Sequence, residues 1–163
     1  MITYNKKKNI RNCPIVIFLT LNAIFIFSGC SYFVAGSYPN VEKYLIDTTE
    51  EAVIKAVNTF KAEHGSFVAP KYLEDGRKDS GDYWYHIYFY LPEERLIVFC
   101  WTRPETKKET AFAFVGINKG TGLGNWKDIN KDFSSTENKR YLKIFEKRLL
   151  KPINLILGKQ NGL

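Results

Sequence analysis

Hydrophobic residues recur along this chain at two different spacings, which predict two helices and a group of strands between them. Residues 48–64 and 134–151 carry apolar side chains three and four positions apart, which is the spacing of one helix face. Each stretch opens with the Ser/Thr-x-x-Glu signature of a capping box, at Thr48 and at Ser134. In this motif the hydroxyl and the carboxylate satisfy free backbone amides. We therefore predict one helix in each stretch.

Between the two helices, three apolar runs are separated by turn residues, at 83–91, 96–101 and 110–117. The first run alternates strictly, as a strand does, and the second is apolar on both faces, as expected of a central strand. Short connections between successive strands imply an antiparallel meander. The sequence therefore predicts an α+β fold, a three- to four-stranded antiparallel meander packed by two helices in the order α-β-β-β-α.

The third run predicts which face of the sheet the helices cover. Its small to medium side chains share one face, on which we expect a helix to lie closely: Ala111, Ala113, Val115 and Ile117. Residues 118–133 follow with three glycines. They have neither the P-loop order nor the context of the dinucleotide fingerprint. We therefore interpret them as a flexible exit from the strand and not as a phosphate site.

The alternation in the first run places an aromatic row on the other face: Trp84, His86, Tyr88 and Tyr90. Aromatic side chains with polar tips are enriched at interfaces, so this row is a candidate binding face. The alternative is cover by the chain's own segments 31–46 and 66–82. The first of these contains Tyr38, which we do not expect to stay fully solvated. The sequence leaves both interpretations open.

The length of the turn after residue 91 decides which residue lies opposite His86. A three-residue turn pairs it with Cys100, and a four-residue turn pairs it with Trp101. A Cys–His pair is the elementary unit of thiol catalysis, so a small hydrolase or thiol enzyme that uses His86 is the alternative to a binding module. A nucleophile needs access and a lowered pKa, and we expect Cys100 to be buried and inert. No catalytic residue is assigned.

A cationic segment and an apolar run precede these elements. Lys6, Lys7, Lys8 and Arg11 come before an apolar stretch that closes with Phe27-Ser28-Gly29-Cys30. This order is typical of a secretory signal peptide. The closing four residues resemble the lipobox of bacterial lipoproteins, in which the cysteine carries fatty acyl chains such as palmitate and the chain is cut just before it. The alternative is an uncleaved anchor, because the run is only slightly shorter than the about 20 residues of a spanning helix.

The resemblance implies a signal peptide at residues 1–29, lipidated Cys30 with a tether over 30–46, and a single α+β domain over 47–163. It implies a location in the bacterial cell envelope, where the lipid on Cys30 attaches the protein to the membrane. Ser31 follows the cysteine in place of Asp, and no acidic residue precedes Glu42. Both features favour the periplasmic side of the outer membrane if the cell is Gram-negative.

Charge and cysteine content narrow the functional classes. The formal net charge is +7, but four cations and no acidic residue precede Cys30, which leaves +3 for the mature chain. This small excess gives little support to nucleic-acid binding. Cys100 remains as the only free cysteine, so we expect no intramolecular disulfide. Two histidines and one cysteine without ligand spacing predict no metal site, and no cofactor is implied.

The second predicted helix carries a row of cations: Arg140, Lys143, Lys147 and Lys151. Such a row is usually a solvated face. In a protein held by lipid, however, it lies beside anionic headgroups and is a candidate membrane-facing surface. We therefore predict a lipid-anchored cell-envelope protein, a non-catalytic binding or assembly module with a protein partner in the envelope and an unidentified ligand.

Overall fold

Alternating apolar residues build an antiparallel sheet of five strands in the part of the chain that the computed structural model describes, residues 38–120, 122 and 124–160. The strands are β1 (Glu42–Ile46), β2 (Tyr85–Leu91), β3 (Leu96–Pro104), β4 (Thr110–Lys119) and β5 (Trp126–Asp128). Their order is β1-β4-β3-β2, and β5 pairs with β4. Because β3 pairs with β4 along its length, β1 and β5 share the other edge of β4. The signal peptide and Cys30 lie outside the described residues.

The helices follow the predicted positions closely. They are α1 (Glu50–Glu63), a 3-10 turn (Gly65–Phe67), α2 (Ser135–Phe145), a π turn (Glu146–Leu150) and α3 (Lys151–Gln160). The capping box at Ser134 is confirmed, because Glu137 N donates to Ser134 Oγ and Ser134 N donates to the Glu137 carboxylate. The cap of α1 is Thr49, one residue after the predicted Thr48, and its hydroxyl accepts from Ala52 N at 3.4 Å.

The second helix continues past Pro152, where the sequence predicts an end or a kink. A π turn comes just before the proline, and Lys151 N donates to Glu146 O, five residues back. Proline has no N–H to donate to the preceding turn, and its ring disfavours an ordinary α-helical interior. The wider turn is the local structure next to it. Helix α3 then brings Ile153, Ile156 and Leu157 into the core.

The predicted α+β meander of β2, β3 and β4 between two helical segments is confirmed, and the sheet gains two short strands. Strand β1 lies inside residues 30–46, which the sequence predicts as the lipidated cysteine and tether. Tyr44 and Ile46 of β1 pack against the main core. The domain therefore begins before residue 47, and the compact unit starts at Tyr38. Strand β5 forms in the stretch predicted as a flexible exit.

The main core lies between the helices and one face of the sheet. Its largest fully buried side chains are Phe60, Phe89, Phe112, Phe114 and Phe145, with aliphatic residues around them. Phe114 of β4 stacks on Phe145 of α2 with ring centroids 4.5 Å apart. We call this face of the sheet the helix-covered face and the opposite one the helix-free face.

The prediction for the faces of β4 is wrong. Ala111, Ala113 and Val115 belong to a cluster on the helix-free face, whereas Phe112 and Phe114 turn toward the helices. The register shifts at this point, because Phe99 pairs with Gly116 and Cys100 with Phe114, which leaves Val115 as a bulge. The extra residue reverses the alternation, so that Ile117 joins Phe114 on the helix-covered face.

Candidate binding surface on the helix-free face

The aromatic row predicted from β2 lies on the helix-free face. Ile87, Phe89 and Leu91 of β2 enter the main core, so the alternate residues point to the opposite side. There they meet aromatic residues of the neighbouring strands, and Tyr88 stacks on Phe99 with centroids 5.0 Å apart. The aromatic surface of this face consists of Tyr38, Trp84, His86, Tyr88, Tyr90, Phe99, Trp101 and Trp126.

Tyr38 is the ring that ties one end of the aromatic surface together. Its centroid lies 5.4 Å from that of Trp84, 5.8 Å from Phe99 and 6.2 Å from Trp101. Most of these pairs are edge-to-face, an arrangement that aromatic quadrupoles favour. Under this cover His86 and Trp101 are each only 3% exposed. The segment before β1 therefore supplies part of the intramolecular cover that the sequence leaves open.

The second proposed cover, residues 66–82, takes a different position. Gly76 exchanges two backbone hydrogen bonds with His86, each 2.9 Å, and Asp75 Oδ1 accepts from Tyr88 N at 2.9 Å. These contacts run along the outer edge of β2. Trp84, Tyr88, Tyr90 and Phe99 stay half-buried. The aromatic surface thus has a closed centre and a rim that still contacts solvent.

His86 has two polar side-chain neighbours in the described part of the chain. Its Nε2 lies 3.4 Å from Tyr38 Oη and 3.7 Å from Asp82 Oδ2. Burial lowers the pKa of His86, against the opposing field of Asp82. Backbone N–H groups of Lys78 and Trp84 hold the pKa of Asp82 below its usual value. His86 is therefore a neutral ring beside a carboxylate at neutral pH.

Cys100 and His86 do not form a pair. The turn between β2 and β3 has four residues, so His86 lies opposite Trp101, and Cys100 lies opposite Ile87 on the helix-covered face. Burial raises the pKa of the Cys100 thiol well above its ordinary value. A thiol without access and without a stabilised thiolate is a poor nucleophile. The geometry does not bring together the thiol unit that the alternative function requires.

Two buried polar atoms near the aromatic surface have no hydrogen-bond partner: Trp101 Nε1 and Asn118 Oδ1. A buried indole N–H usually finds an acceptor. Trp101 belongs to the small apolar cluster with Ala111, Ala113 and Val115 at the centre of the helix-free face. The sequence does not single out Trp101, Phe99 or Trp126, because their common face depends on strand register.

The four cations predicted as membrane-facing, Arg140, Lys143, Lys147 and Lys151, are all exposed, on the helical side of the molecule. Three of them line a groove on that side. Within the described ranges, no group of His, Cys, Asp and Glu is arranged to hold a metal ion. The helices of the same ranges include none that has the length and apolar character to cross a membrane.

The chain matches no protein-family model, no curated protein and no solved structure. Its function is therefore argued from its own residues.

Proposed function

We propose that this chain is a lipid-anchored protein of the bacterial cell envelope, and that it acts as a non-catalytic binding or assembly module for a protein partner. The observation that carries the proposal is the helix-free face, where a row of large aromatic rings stays half-buried beside a closed centre. Cys30 supplies the anchor, and the aromatic surface supplies the recognition.

The composition of the aromatic surface fits a recognition role. Tyr and Trp combine a large apolar area with a polar tip, and they are enriched among the few residues that carry most interface free energy. The rings hold one another in fixed edge-to-face or stacked contacts, for example Tyr88 on Phe99. Prearranged side chains lose little conformational entropy when a partner binds. The unpaired Trp101 Nε1 offers a donor that an acceptor of the partner could satisfy.

The proposed anchor keeps the domain close to its membrane. Seven residues separate Cys30 from Tyr38, and a fully extended chain of that length spans no more than about 28 Å. A partner that is itself in the envelope would thus meet the aromatic surface near the membrane. Attachment of this kind also raises the local concentration of both molecules.

Intact-mass analysis of protein extracted from membranes tests the anchor. We expect a chain that starts at Cys30 and carries added acyl mass, and we expect Cys30→Ala to leave unprocessed precursor. Cys13→Ala is the matched control, since that cysteine lies inside the predicted signal peptide. Membrane-bound protein that still starts at Met1 would contradict the lipoprotein interpretation.

Cross-linked capture of the partner in intact cells tests the binding surface. Trp84→Ala and Tyr88→Ala should remove the captured protein while the folded protein remains at normal level. Leu155→Ala is the control, because that residue is exposed on α3, on the other side of the sheet. If His86→Ala alone abolished function while both aromatic variants retained it, the outcome would support the catalytic alternative.

A further inference from the structure

The helical side of the molecule carries a groove of about 660 Å³ where α2, the π turn and α3 meet β1. This volume lies within the range of sites that bind small molecules or headgroups. Lys147 and Leu150 of its lining belong to the π turn. Turns of this kind recur at functional sites, because they displace a few side chains from the regular helical positions.

Uncompensated positive charge surrounds this groove. Lys143, Lys147 and Lys151 line it and are exposed. None of the three forms an ion pair with any residue in the described ranges. Glu93, whose pKa Lys147 helps to lower, is already paired with Arg148. Arg140 extends the same unpaired row by one turn.

Glu146 is the only acidic residue in the lining of the groove, and its carboxylate already has a partner. Tyr44 Oη donates to Glu146 Oε1 at 3.1 Å. Burial first, and then the neighbouring carboxylate, raises the pKa of Tyr44, so the phenol keeps its proton and continues to donate. The three lysines therefore outnumber the acid, and a ligand with negative charge fits the groove.

The groove also has an apolar side. Leu155 is 60% exposed, which places it among the most exposed large hydrophobic residues of the described chain. Leu150 lines the groove beside it. A small inorganic anion gains nothing from exposed leucine side chains. Lysines above an apolar surface match an amphiphile, whose phosphate and hydrocarbon lie next to each other.

We propose that this groove docks an acidic phospholipid of the membrane surface, with its phosphate at Lys143, Lys147 and Lys151 and its acyl region against Leu150 and Leu155. The inference goes beyond the partner surface proposed above, because the groove lies on the opposite side of the sheet. Docking there would lay the helices on the membrane and turn the aromatic surface away from it. Both sites could then be occupied at once.

Lysine footprinting tests this proposal. Full-length protein is reconstituted into vesicles of phosphatidylcholine, with or without phosphatidylglycerol, and is briefly acetylated before mass analysis. With phosphatidylglycerol, we expect the three groove lysines to react roughly fivefold more slowly, as for cations held at an acidic surface. Lys107 and Lys108, exposed in the β3–β4 turn, should react at the same rate in both vesicles. Equal rates at the groove would overturn the proposal.

Two further arms identify the source of the negative charge. Soluble glycerol phosphate or polyglutamate, added to phosphatidylcholine vesicles, should not protect the groove lysines. Protection equal to that by phosphatidylglycerol would overturn the membrane proposal in favour of a soluble anion or an acidic protein segment. Leu155→Gln should weaken the protection without a change of charge. Leu45→Gln, at a leucine that is 56% exposed on β1, is its matched control.

The outcome separates this inference from the proposed function. Trp84→Ala changes the aromatic surface and should leave protection of the groove lysines intact. Loss of partner capture with retained protection would refute only the binding surface. Retained capture without protection would refute only the lipid groove.

Discussion

The two faces of the sheet are built from different chemistry. The helix-covered face uses Phe and aliphatic residues, which have no polar atoms to satisfy, and nearly all of them are closed to solvent. The helix-free face uses Trp, Tyr and His, whose rings touch one another while the rim stays half-buried. One strand, β2, contributes Phe89 to the first and Tyr88 to the second.

This difference indicates that the two faces serve different purposes. A face that only stabilised the fold would be expected to close over its rings and to satisfy its buried donors, since an unpaired buried group costs about 1–3 kcal/mol. The helix-free face leaves Trp101 Nε1 unpaired. We infer that the helix-covered face supplies most of the stability and that the aromatic surface is retained for recognition.

The largest expected effect is on the helix-covered face. Phe114→Ala removes a ring that is 1% exposed and stacked on Phe145, and loss of a buried Phe typically costs about 3–5 kcal/mol. Denaturant unfolding would measure this loss. A cost close to that of a surface substitution would contradict the assignment of the main core to this face.

Trp84→Ala and Tyr88→Ala should have a smaller effect on the free energy of unfolding. Both rings are half-buried, so we expect a loss of about 1–2 kcal/mol, less than for a fully buried side chain. Partner capture should nevertheless be lost. If both variants were destabilised as strongly as Phe114→Ala, the aromatic surface would be a second core, and the recognition proposal would fail.

Cys100→Ala should cost on the order of 1 kcal/mol, because it removes one buried sulfur atom from the helix-covered face. Burial raises the pKa of this thiol, so thiol reagents should label native protein slowly and unfolded protein at the full rate. Partner capture should remain normal. Rapid labelling of the native protein would instead restore the thiol-enzyme alternative.

The smallest effect concerns pH and the helix-free face. Burial lowers the pKa of His86 in the folded state, so the unfolded chain binds the proton first as the pH falls through about 6.5. Stability should therefore decrease with falling pH from that point until the folded-state pKa is passed. His86→Gln should flatten this slope in thermal melts.

Asp82→Asn sharpens the pH comparison. Asp82 opposes the effect of burial on the pKa of His86, so removal of its charge should lower that pKa further and widen the pH range in which stability is lost. A slope unchanged by both substitutions would mean that His86 does not titrate differently in the two states.

Local signals predict much of this fold. The capping box at Ser134 and the period-two alternation of β2 each depend on neighbours in sequence, and both are present. The choice between the two turn lengths could not be made from sequence. The four-residue turn ends with Arg95 in a left-handed conformation at φ 54°, which nothing in the residue type indicates.

The errors lie where distant residues decide the outcome. Strand β1 mixes Glu42 and Lys43 with apolar residues, and it is a strand because the edge of β4 is open to pair with it. The faces of β4 depend on the bulge at Val115, which exists only in the paired sheet. The closed centre of the candidate site depends on Tyr38, whose position over Trp101 is set by the same pairing of β1.

The π turn has a consequence for how the gene can change. It holds one residue more than an α-helical turn would, and each residue of an α-helix rotates the rest of the helix by about 100°. Deletion of a single codon between Glu146 and Leu150 would therefore swing Ile153, Ile156 and Leu157 of α3 away from the core. The same deletion in the exposed turn at residues 105–109 would shorten only a connection. Codon loss should thus be selected against far more strongly in the helix than in that turn.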